Sequence, residues 1–117
     1  MDNREPDIVD EGYYNTAVSA QSLQPGQMIA VQIDGRSIIL TRYEGRPVAF
    51  AGRCPHAAAP LAEGTLYRHK LTCPEHDYCF DIRSGRTLWP PDEMVRLQLY
   101  PVKEEDGLIK VKTDLIP

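Results

Sequence analysis

Cys54-Pro-His56 and, after sixteen intervening residues, Cys73-Pro-Glu-His-Asp-Tyr-Cys-Phe-Asp81 are the stretches around which this chain is organised. Each opens on Cys-Pro and sets one imidazole two or three residues beyond the thiol, His56 in the first and His76 in the second. A thiolate is a soft donor and a neutral imidazole a borderline one, so two short arms that each carry both can hold a metal centre. The chain has three cysteines, Cys54, Cys73 and Cys79. An odd number, in a chain that opens without a secretory leader, argues against a disulfide framework and for metal binding or reactive chemistry.

Upstream of Cys54 the sequence reads as antiparallel strands. Tyr13 to Ser19 is a first candidate, and Gln24-Pro25-Gly26 marks a turn. Met28 to Ile33 and Arg36 to Tyr43 flank Asp34-Gly35, a strong hairpin signal. Glu44-Gly45 turns the chain again into Pro47 to Ala51. Downstream, Arg96 to Tyr100 and Leu108 to Thr113 alternate polar and apolar residues, as half-buried strands do, with Asp106-Gly107 in the turn before the second. Tyr100-Pro101 reads as a strand end, and the acidic residues at 104–106 as a solvated turn. Between these blocks, about 54–91, lie all three histidines and only short runs: Leu66-Tyr67, Leu71-Thr72 and Phe80 to Arg83, closed by Ser84-Gly85. Ala57-Ala58-Ala59 is too short for a helix and is followed by Pro60. The pattern implies an all-β base domain interrupted by a loop-rich insertion of about 38 residues.

At 117 residues the chain has room for one domain with a modest core. Its net charge of −4 sits in residues 1–11, where five acids face Arg4 alone. That segment reads as a flexible acidic tail, and 12–117 as a neutral domain. No basic stripe marks a nucleic-acid binder. No run approaches the roughly 20 apolar residues of a membrane helix, and Met1 to Asp7 lacks the apolar run of a signal peptide. The expectation is a cytoplasmic protein, with nothing that demands more than a monomer.

The two Cys-His segments resemble the cluster loops of Rieske proteins, C-x-H and C-x-x-H. The resemblance continues through Phe80-Asp81, Ser84-Gly85 and the proline loop Trp89-Pro90-Pro91, and the run from Pro25-Gly26 to Gly52 is similar to the start of bacterial Rieske ferredoxins. It implies an antiparallel β-sandwich or barrel base bearing a cluster-binding subdomain, with one [2Fe–2S] cluster. Cys54 and Cys73 would hold the inner iron, and His56 and His76 the outer one. The alternative reading of the same donors is a structural zinc site with two cysteines and two histidines. Mixed ligands on each arm and the long β flanks speak against it.

The resemblance also sorts the subtype. High-potential members brace their loops with a disulfide and aim Ser and Tyr hydroxyls at the cluster. Here Tyr78 and Phe80 stand at those positions, Asp77 stands where glycine is usual, and Cys79 has no partner for a disulfide. Fewer donors imply a low potential, about −150 mV rather than about +300 mV. The chain shows no Gly-rich dinucleotide fingerprint and no H-E-x-x-H motif. The resemblance implies an electron carrier rather than an enzyme, the ferredoxin component of a multicomponent oxygenase, passing electrons from a flavin reductase to a terminal oxygenase. A small Rieske subunit of an assimilatory nitrite reductase and a zinc-stabilised interaction module are the alternatives. The docking face would include His56, His76 and Trp89-Pro90-Pro91, with Trp89 either a contact or a shield for the cluster. His69, between Arg68 and Lys70, reads as solvated, and Cys79 as a small packed residue.

Overall fold

The structure is a computed structural model that describes residues 8–10, 12–75 and 77–113. His76 and residues 1–7 and 11 of the expected tail lie outside the described residues. Three antiparallel sheets of four strands account for the architecture.

The central sheet comes from the hairpins that the turn residues dictate. β3 (Ile29–Ile33), β4 (Arg36–Tyr43) and β5 (Arg46–Ala51) form a meander joined at Asp34-Gly35 and Glu44-Gly45. All four turn residues have positive φ, between 50° and 81°. Both central residues of a tight type I′ hairpin need that backbone, which is why glycine closes each turn. β10 (Leu99–Tyr100) adds to β5.

β4 and β5 are buried on both faces. Alternation sends Ile38, Leu40 and Ala49 to one side and Ile39 and Phe50, which are cross-strand partners, to the other. Two cores result. The first holds Ile38, Leu40 and Ala49 with Ile33, Leu23, Tyr100, Ile109 and Val111. It is covered by the second sheet, which orders β1 (Ile8–Asp10), β2 (Tyr13–Ser19), β12 (Leu108–Lys112) and β11 (Val102–Glu105) as β1-β2-β12-β11. β1 thus lies inside the segment expected as a tail, paired with β2 through Ile8↔Tyr14.

The second core joins the base to the insertion. Ile39 and Phe50 meet Leu61, Leu71, Phe80, Ile82 and Leu97, together with Cys54 and Cys73. The insertion has its own sheet of three-residue strands: β6 (Thr65–Tyr67), β7 (Lys70–Thr72), β8 (Cys79–Asp81) and β9 (Thr87–Trp89). Among the described residues helical structure is limited to two 3₁₀ turns, Ala20–Ser22 and Leu61–Glu63. Among the described residues no helix is long and apolar enough to cross a membrane.

Two local expectations are corrected. Glu104 and Glu105 are not in a turn but in β11, an edge strand, and only Asp106-Gly107 turns, as expected. Charges are at home on an edge; here Lys110 Nζ lies 2.8 Å from Glu105 Oε1. The alternating run from Arg96 is a strand only at Leu99–Tyr100, because the Leu97 N–H donates to the Gly85 carbonyl at 2.8 Å.

Candidate metal centre

The two Cys-His segments are the tips of two tight loops, each pinned at its base by backbone hydrogen bonds. In the first, Cys54 N–H donates to the Ala59 carbonyl at 2.9 Å and Ala58 N–H returns to the Cys54 carbonyl at 2.8 Å. Ala58 takes a φ of 56°, so this loop curls through the left-handed region without a glycine. In the second, Cys73 N–H donates to the Tyr78 carbonyl at 2.7 Å, directly above the β7–β8 pair Thr72↔Cys79. Asp77 occupies the position where glycine is usual, with φ 56° and an exposed side chain. Asp tolerates that backbone better than most residues.

Both loops aim their cysteines down. Cys54 and Cys73 are each 2% exposed and sit in the core that joins insertion and base. Both are free thiols. Burial pushes the Cys73 thiol up, the Glu75 backbone N–H opposes this, and the neighbouring Cys54 thiol pushes the same way as burial. That Glu75 N–H lies 3.4 Å from Cys73 Sγ. The one described imidazole of the two arms lies at the surface: the His56 side chain is 31% exposed. The result is a sulfur-lined floor under an imidazole at the edge. That donor chemistry fits a centre with a thiolate-bound inner side and an imidazole-bound outer side. Among the described residues, a set that omits His76, no group of three or more His, Cys, Asp or Glu side chains could hold a metal ion.

His56 is gripped by two residues that sequence reasoning did not connect to it. Its ring stacks on Tyr78 with centroids 3.9 Å apart and planes at 19°. Its Nε2 lies 2.8 Å from Glu93 Oε2, from the loop after Trp89-Pro90-Pro91. Glu93 is 37 positions from His56 and belongs to no motif, so no local signal could have paired them. His56 holds the Glu93 carboxyl below its usual range, and the Val95 N–H adds to that.

The other expected residues fall as follows. Phe80 is fully buried in the core that contains both cysteines and offers no donor. Trp89 is 54% exposed and, with Pro90, borders a surface depression shared with His56, Ala57, Glu75 and Tyr78. That favours the contact role over the shield. Cys79 is half-buried, its Sγ 3.4 Å from Thr72 Oγ1. His69 is half-buried, edge-on to Tyr43 at 6.2 Å, rather than freely solvated.

The Rieske [2Fe–2S] domain matches residues 14–101 of this chain. The ferredoxin component of the alkene monooxygenase system of Xanthobacter autotrophicus is 30% identical over 116 residues, covering 98% of this chain and 91% of that protein. The ferredoxin component of the naphthalene 1,2-dioxygenase system of Pseudomonas aeruginosa is 33% identical over 95 residues, 81% of this chain and 90% of that one. Among solved structures, a chain from the complex of reduced oxygenase and oxidised ferredoxin in carbazole 1,9a-dioxygenase superposes with a TM-score of 0.82. It is 25% identical, and the match covers 92% of this chain and 99% of that one.

Proposed function

The chain belongs to the Rieske [2Fe–2S] domain family, and from that premise we propose that it is the ferredoxin of an oxygenase system, taking electrons from a flavin reductase and delivering them to a terminal oxygenase. Its cofactor is one Rieske-type [2Fe–2S] cluster, which when bound accepts and returns one electron. Cys54 and Cys73 would hold the inner iron, and His56 and His76 the outer one.

The observation that carries this reading is the vertical order of the site, with buried thiols below and a half-exposed imidazole above. The thiols keep the sulfur side away from water. The Glu75 N–H favours negative charge on Cys73 Sγ. His56, bordering the depression beside Trp89, gives a partner close approach to the electron's exit. The alkene monooxygenase and naphthalene 1,2-dioxygenase relatives, matched over 91% and 90% of their lengths, are named as ferredoxin components, which supports a carrier rather than a catalyst.

Two experiments test the reading. Cys54→Ala and His76→Ala are expected to abolish the visible spectrum, while His69→Ala leaves it intact; a normal spectrum in Cys54→Ala overturns the ligand set. The wild-type protein, mixed with NADH and the reductase and oxygenase of a naphthalene 1,2-dioxygenase system, is expected to be reduced and then reoxidised by the oxygenase. A protein that no flavin reductase reduces overturns the carrier role.

A further inference from the structure

Glu93 is held at both carboxylate oxygens. Oε1 accepts from the backbone N–H groups of Met94 at 3.0 Å and Val95 at 3.3 Å, and Oε2 meets His56 Nε2 at 2.8 Å. The loop that carries it is braced in turn: Glu93 N–H donates to the Pro90 carbonyl, and Thr87 Oγ1 to the Val95 carbonyl. Tyr78 closes the face of the same imidazole. His56 is therefore fixed from its edge and its face by two elements separate from its own loop.

We propose that Glu93 is a positioning residue that fixes the ring of His56 for the outer iron, and that it lowers the reduction potential of the centre. This rests on the reading of His56 as a ligand. A carboxylate on the remote nitrogen fixes the ring and makes the ligand more basic. A more basic ligand and a neighbouring negative charge both favour the oxidised state over the more negative reduced one. A pair this exposed contributes little to folding, so its effect belongs in the potential and not in the melting temperature.

The test is redox titration of the cluster-loaded protein with Glu93→Gln, which keeps an acceptor oxygen but no charge, and Glu93→Ala, which keeps neither. Asp92→Asn is the control, an exposed neighbour that loses the same charge. At a fixed potential near the midpoint, both Glu93 variants are expected to raise the reduced-to-oxidised ratio at least fivefold. At 59 mV per tenfold for one electron that is about 40 mV upward. The melting temperature should hold, and Asp92→Asn should change the ratio less than twofold. A change below twofold in both Glu93 variants, or an equal change in Asp92→Asn, overturns the proposal. If His56→Ala keeps the wild-type EPR spectrum, the ligand reading itself fails, a different outcome from an unmoved potential in a normal cluster.

Discussion

Replacing Phe80 with alanine empties the floor beneath both ligand loops. Phe80 is 0% exposed and shares its core with Cys54, Cys73 and Leu71 of the insertion and with Ile39 and Phe50 of the base. Truncating a fully buried Phe costs about 3–5 kcal/mol, the lost transfer energy plus the cavity left behind. β8 is tied to β7 on one side and β9 on the other, so it cannot slide in to fill the gap. A loss of about 4 kcal/mol is therefore expected, a large share of the 5–15 kcal/mol that holds a typical domain. At about 3–6 °C per kcal/mol for this size, the melting temperature should fall by about 12–24 °C. The matching substitution in the other core, Ile109→Ala, should cost about 2–5 kcal/mol. Ile109 packs with Ile38 and Leu40 on the far face of the central sheet. The assay pairs thermal melting, followed by backbone ellipticity, with low-temperature EPR of the reduced protein. Both variants should melt early, but only Phe80→Ala should shift or broaden the cluster signal. Melting of Phe80→Ala within about 5 °C of wild type, or an equal disturbance from Ile109→Ala, would refute the division into two cores.

Other substitutions probe the scaffold and the charge distribution. A Cβ at Gly64 would meet the Thr72 carbonyl, the residue before Cys73; Gly64→Ala should cost about 1–3 kcal/mol by overpacking, read as a lower urea midpoint with an unchanged m-value. Asp81 accepts three side-chain and backbone hydrogen bonds at 2.7–2.9 Å from Arg83, which hold its carboxyl below the usual range against the opposing effect of burial. The folded value is the lower one, so this stabilisation is present above the unfolded value of about 4 and is lost as pH falls through the folded value. Asp81→Asn should therefore lower the urea midpoint at pH 7, with the gap to wild type closing below about pH 4; a gap independent of pH contradicts the assignment. The midpoint potential should fall toward about −150 mV, since Phe80 offers no donor and Glu93 adds negative charge beside His56. A value well above 0 mV would contradict the low-potential reading.

The strands that pair locally were legible in the sequence because their turns carry their own chemistry. Asp34-Gly35, Glu44-Gly45 and Asp106-Gly107 each put two residues at positive φ, and β4 has the bounds expected of it. β11 was not legible: the acidic residues at 104–106 look like a solvated turn, and only their place on a sheet edge makes Glu104 and Glu105 part of a strand. The insertion's sheet was legible only in fragments, since three-residue strands leave no room for periodicity. In the site, the spacing of the Cys-His arms marked the thiols and His56, and the structure places Cys54 and Cys73 together. The grip on His56 by Glu93 and Tyr78 could not be read, because it depends on how the proline loop and the second Cys-His loop fold against the first.

Everything above turns on Cys54, His56, Cys73 and His76 holding one Rieske cluster. Iron, sulfide and zinc analysis of the isolated protein, with EPR of the dithionite-reduced sample, tests it most directly. The expected result is a red-brown protein with about two irons and two sulfides per chain, and a rhombic reduced signal of low average g. A colourless protein with stoichiometric zinc and no reduced signal would contradict it.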